Sequence, residues 1–156
     1  MAPRGILIHP DPRLRAVAVP VEAFDARLAG LADDLLETMY AAPGRGLAAP
    51  QVGVLLRLFV MDVEWKAGSP APQVMVNPRI LEVSQERVVM EEGCLSIPGQ
   101  PCRVERHAGL RLAWQGVDGA AREAWFSGVE ARAVQHEIDH LDGVLCIDRV
   151  AHPAGA

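Results

Sequence analysis

The chain has 156 residues, half of them hydrophobic, and a net charge of −5. That size suits a single domain, 1–156, whose core needs no disulfide staples. The acidic balance, with Lys66 the only lysine, argues against a nucleic-acid-binding protein, which wants a basic face. No apolar run reaches the length of a membrane span, and no signal peptide stands at the start. The three cysteines, Cys94, Cys102 and Cys146, make a poor disulfide framework, which fits a cytoplasmic location.

In chain order, "GILIHPDPRLR" (5–15) reads as a short apolar strand broken by two prolines. Residues 24–42 predict a helix, with Phe24, Leu28, Leu31, Leu35 and Met39 on one face, stopped by Pro43-Gly44. "GRGLAAPQVG" (44–53) reads as a glycine-rich loop. Strands are expected at 57–63, 74–81 and 86–91, the second made irregular or placed at an edge by Pro78. "EEGCLSIPGQP" (91–101) is too rich in glycine and proline for a regular element. Residues 108–128 predict a hairpin turning at "GVDGA". A last helix follows, with Ser127 and Glu130 as a capping box and Asp142-Gly143 as its stop. Strands with one early and one late helix give an α+β fold of mainly antiparallel sheets. The late helix would lie at its centre and the early amphipathic helix outside.

The chemistry concentrates in "AVQHEIDHLDG" (133–143). On a helix, His136 and His140 stand one turn apart on one side and can point two imidazoles at one metal ion. Glu137 can then reach a water bound to that ion and take its proton. The same face carries Val129 and Ala133, which look core-facing, and packing alone is a poor reason to bury two histidines there. A catalytic site needs a third protein ligand. Cys94, in "EEGCLSIPG", is the best placed. Cys146 has a suitable spacing but sits in "GVLCID", which reads as an apolar strand. Asp139 falls away from the metal face, and a pairing with Arg106 or Arg132 is the hypothesis for it. The lone His9, His107 and His152 carry no assigned chemistry.

Three separated motifs, "GRGLAAPQ" (44–51), "EGCLS" (92–96) and "QHEIDHLDG" (135–143), occur in the order found in the peptide deformylases, which the chain closely resembles. The likeness extends to "HPDPRLR" (9–15) and "VNPRI" (76–80). It implies one metal held by Cys94, His136 and His140, with Glu137 as general base and then acid. It also implies that Gln51 and the Leu95 N–H steady the oxyanion, and that Gly46, Arg45 and Gly93 border the substrate. The implied reaction removes formate from N-formyl-methionyl peptides. The implied cofactor is one divalent metal, Fe2+ in the cell, with Zn2+, Ni2+ or Co2+ possible in purified protein.

Three features depart from the family pattern. Arg45 stands where a small apolar residue is more usual, beside the methionine pocket, so a guanidinium there alters access or favours another substrate. Pro101 replaces a common basic residue. The sequence ends at "DRVAHPAGA", without the basic C-terminal helix that many members dock on the ribosome, which argues against ribosome docking. Three rival readings are a metallopeptidase, an amidase acting on another N-acyl peptide, and a binding module merely stabilised by metal. Retention of Glu137 counts against the last, because a structural site has no use for a base.

Overall fold

The computed structural model describes residues 3–151. Residues 5–8 do not form a strand. The backbone here makes single bonds rather than a ladder, Leu7 N–H to Gln51 O at 2.7 Å and His9 N–H to Ser96 O at 2.9 Å. A 3-10 turn follows at Pro12–Arg15, capped by Asp11 and anchored by buried Leu14. Helix α1, Ala26–Ala41, begins where the Asp25 side chain accepts from the N–H groups of Arg27 and Leu28. Its 3.6-residue pattern buries Leu28, Leu31, Leu35 and Met39.

The expected glycine-rich loop contains a strand. β1, Gly46–Ala48, is followed at once by a 3-10 turn, Ala49–Val52. Composition hid it because a three-residue edge strand can be set by its partner rather than by its own propensity. That partner is β2, Leu58–Met61, which lies antiparallel to β1. β3, Gln73–Val83, pairs with β2 on one side and with β6, Gly109–Gln115, on the other. Pro78 therefore sits at a central irregularity, where the register shifts between Val76 and Arg79 and Asn77 adopts a positive φ of 49°. β4, Arg87–Cys94, and β5, Ile97–His107, form a separate two-stranded sheet. β6, Gly109–Gln115, and β7, Ala121–Ser127, form the expected hairpin and complete a five-stranded sheet in the order β1-β2-β3-β6-β7.

Helix α2, Gly128–Leu141, packs against that sheet on the face opposite α1. β2 shows why its sequence is apolar throughout. Phe59 and Met61 join Ala131, Val134 and Leu141 of α2 in one cluster, while Leu58 and Val60 join the α1 leucines in another. Each such Leu, Val, Phe or Met side chain, fully buried, contributes roughly 1.5–3 kcal/mol. A third cluster, with Leu14, Cys94, Ile97, Cys102, Val104, Leu145 and Cys146, fills the space under the β4–β5 hairpin. This is the expected α+β arrangement of antiparallel sheets around a C-terminal helix, with the early helix outside.

Several local expectations change. Residues 91–101 are not irregular: β4 runs to Cys94, β5 resumes at Ile97, and these two residues pair directly. Ser127 is the N-cap of α2, yet its side chain makes no capping bond, and Glu130 instead accepts from Gln73 Nε2 at 2.9 Å. Val129 is 52% exposed, so the histidine face of α2 looks into a cleft and its other side supplies the core. Asp142 and Gly143 end the helix as expected, with Gly143 at φ 74°. Cys146 opens a 3-10 turn, Cys146–Arg149, rather than a strand. His152 and the rest of "HPAGA" (152–156) lie outside the described residues.

Candidate metal centre and its cleft

Two elements build the centre. β4 delivers Cys94 at its end, and α2 delivers His136 and His140 one turn apart. Ligand atoms of all three lie within 4.8 Å of one another, and all three residues are buried. The Cys94 Sγ is 3.4 Å from His140 Nε2, and the two imidazole centroids are 5.0 Å apart. Cys146 is buried in the apolar cluster behind them and is not part of the three-residue set.

The ring orientation is fixed from behind. His136 Nδ1 donates to Glu92 Oε1 at 2.9 Å, which leaves Nε2 for an ion. Glu92 is held in turn by Arg106, through two bonds of 2.8 and 2.9 Å, and by Arg132 at 2.5 Å. Arg106 also donates to Asp139 Oδ2 at 2.6 Å, and Arg149 grips both Asp139 oxygens. Asp139 does turn to Arg106, as expected, but Arg132 serves Glu92. The pair is no solvated bridge, since Arg106 is 4% exposed. Burial opposes ionisation of Glu92, yet Arg106 and His136 outweigh it and hold the carboxyl far below its ordinary range. Burial also opposes charge on His136, but the Cys94 sulfur and Glu92 lift it to about 10, so a bound ion would displace the Nε2 proton. Burial and the neighbouring His136 charge push His140 well down, so its ring is neutral. A thiol and two imidazoles, one with its far nitrogen engaged and one held neutral, fit a divalent ion of the zinc or ferrous class.

Glu137 stands beside this set with its Oε1 buried and, among the described residues, without a hydrogen-bond partner. Burial raises its carboxyl to about 7. Its other face presses on β1, where a Cβ on Gly46 would fall 2.5 Å from Oε2. Only glycine lets the strand approach the carboxylate so closely. Gln51 is also buried; its Oε1 accepts from Ala48 N–H at 3.0 Å, which aims Nε2 at Ser96 Oγ (3.1 Å) and toward Cys94 Sγ (3.8 Å). A cleft of about 500 Å³ opens onto these groups. Its walls include Arg45, Gly46, Gln51, Gly93, Cys94 and Leu95, so the expected site residues gather around one space except His140, which sits behind it.

Sequence reasoning assigned no role to Glu92 or Ser96, although both lie in the quoted "EGCLS". A signal was available for Glu92. Residues two apart on a strand share a face, and both Glu92 and Cys94 are buried while Glu91 and Gly93 are exposed. A charged residue on the buried face of a ligand-bearing strand implies a buried partner. Arg106 is that partner.

Donors of this kind, at the wall of an open cleft beside an unpartnered carboxylate, put the protein among metal-dependent hydrolases. The polypeptide deformylase family model matches residues 3–155, and the chain belongs to that family. It is 51% identical to a peptide deformylase of Mesorhizobium japonicum over 148 residues, 95% of this chain and 84% of that protein. Its structure superposes on the Thermotoga maritima peptide deformylase with a TM-score of 0.92 at 43% identity, covering 97% and 100% of the two chains. A class I type b peptide deformylase from Acinetobacter baumannii, solved with Met-Ala-Ser bound, gives 0.89 at 35% identity, covering 96% of this chain and 99% of that one. No helix among the described residues is long and apolar enough to cross a membrane.

Proposed function

We propose that the chain removes the formyl group from N-formyl-methionyl peptides, with Cys94, His136 and His140 holding one divalent ion and Glu137 carrying the proton. The observation that carries this reading is Glu137 itself: a buried carboxylate with a free oxygen, one residue from a ligand and pressed against an edge strand. The bound ion would supply Lewis acidity, activating water and polarising the formyl carbonyl. Glu137 takes the proton of the attacking water on Oε1 and hands it to the departing amine. Gln51 Nε2, its amide already oriented by Ala48, donates with the Leu95 N–H to the oxygen that gains charge.

β1 is the edge of the five-stranded sheet, so its outer side offers unpaired backbone groups to an extended peptide. Gly46 and Gly93 leave room for that backbone. The methionine side chain would rest among Met90, Leu95, Val129 and Ala133 on the cleft wall. The bound Met-Ala-Ser of the Acinetobacter relative agrees with a methionyl peptide as ligand. Residues 1–156 are read as one catalytic domain working in the cytoplasm on new chains. A thiolate and two imidazoles suit ferrous iron, taken as the ion in the cell, and also zinc, nickel or cobalt in purified protein.

The test is formate release from formyl-Met-Ala-Ser by protein loaded anaerobically with ferrous iron or nickel. Glu137→Ala should lower kcat by about a hundredfold or more while the ion stays bound. Equal rates for the variant and the parent would refute the assignment.

A further inference from the structure

The mouth of the cleft carries two cations for which the proposed chemistry has no use. Arg45 and Lys66 both line it and both are exposed. Among the described residues neither side chain has an acid partner. The third cation of the wall, Arg132, is different: it is engaged by Glu92 and by the carbonyls of Val104 and Val88. Of the acids there, Glu92 and Glu137 are buried and Glu91 is exposed, so the exposed wall carries two cations against one acid. An acidic molecule thus presents a locally positive rim at its cleft.

The rim is built, and one buried group builds both halves of it. Asp62 accepts from the N–H groups of Glu64 and Trp65 at 3.1 and 3.0 Å, which shapes the turn bearing Lys66. Its own N–H donates to Arg45 O at 2.9 Å. Trp65 Nε1 donates to Gly44 O at 2.9 Å, and the Lys66 ammonium sits 5.7 Å from the Trp65 ring centroid. The backbone around Arg45 is therefore held on both sides while its guanidinium stays free. Gly46 touches Glu137, and Arg45 is the next residue outward. A peptide laid along β1 from the reacting carbonyl passes Arg45 within its first residues beyond methionine, at roughly 3.3 Å per residue.

We propose that Arg45 and Lys66 select formyl-methionyl substrates that carry a side-chain carboxylate at the first or second residue after methionine; this rests on the deformylase reading above. Fixed cations at the rim act on capture more than on the chemical step, so the preference belongs in KM and weakens in salt.

The experiment compares C-terminally amidated formyl-Met-Asp-Ala and formyl-Met-Ala-Asp with their Asn counterparts, using iron-loaded protein at low salt. The acidic peptides should show kcat/KM about fivefold higher, carried by KM, with the ratio falling toward one at about 0.5 M salt. Arg45→Gln and Lys66→Gln should each shrink the ratio, and the double variant should abolish it. Equal rates for acidic and neutral peptides, or a ratio that survives the double variant, would overturn the proposal. So would a gain seen only when a neutral peptide carries a free C-terminal carboxylate, since the cations would then be reading a chain end. Calorimetric binding of the deformylated Met-Asp-Ala and Met-Asn-Ala amides reads the same charge preference without turnover. Absence of formate release with the preference intact would thus refute the deformylase reading alone, and equal affinities would refute this one.

Discussion

Tyr40 illustrates how one side chain reports on its surroundings. Its hydroxyl donates to Asp62 Oδ2 at 2.6 Å, and its ring meets Trp65 edge to face at 5.2 Å. Burial, then the Asp62 carboxylate, push its ionisation up to about 12. A raised value means the folded state favours the neutral phenol. The stabilisation is therefore complete below the unfolded value of 10 and is lost as pH climbs to about 12. Tyr40 is the only tyrosine in the chain, so phenolate absorbance follows it alone. The titration should have its midpoint near 12, and Asp62→Asn should bring it down; a midpoint at the ordinary value would mean the hydroxyl is open to water. Nothing in the sequence announced this pair. Tyr40 and Asp62 are separated by a turn and two strands, and only the fold makes them neighbours.

Among the elements, β1 is the one that composition concealed and function most needs. The sequence showed the residue types of "GRGLAAPQ" and their place in a family pattern, but not that Gly46 would be in a strand pressed on Glu137. The glycine reads locally as flexibility, whereas its role is close approach, which depends on a helix some ninety residues away. The same blindness turned 91–101 into an irregular loop, because cross-strand pairing of Cys94 with Ile97 is a tertiary fact. The helix α2, by contrast, was legible, since His136 and His140 at i and i+4 follow from helical geometry alone. Gly46→Ala tests the contact. Its Cβ would meet Oε2 at 2.5 Å, so either the strand or the carboxylate must move. Misplacement on that scale should lower kcat/KM by about a hundredfold with little change in melting temperature. Unaltered activity would show that Glu137 moves aside freely and is not positioned by β1.

At the scale of the molecule, the candidate ligands join parts that otherwise touch at few points. Cys94 belongs to the two-stranded sheet, while His136 and His140 belong to the helix that caps the five-stranded one. Apart from the ligands, the hairpin and α2 are tied by Arg132, which reaches Glu92 and the carbonyls of Val88 and Val104, by Arg106 to Asp139, and by Gln135, whose side chain exchanges bonds of 3.0 and 2.9 Å with the backbone of His107. An ion that binds the folded arrangement and not the unfolded chain adds stability set by its concentration over its Kd, about 4 kcal/mol at a thousandfold excess. Removing it with a chelator should therefore lower Tm by several degrees. The loss should appear first as faster amide exchange in β4 and β5, which lose one of their ties to α2. Cys94→Ala should melt at the chelated temperature whether or not metal is added, because two imidazoles on a single helix no longer bridge the two sheets. If chelation left both Tm and the exchange of the hairpin unchanged, the three side chains would be neighbours without being joint ligands, and Glu137 would have no activated water to deprotonate.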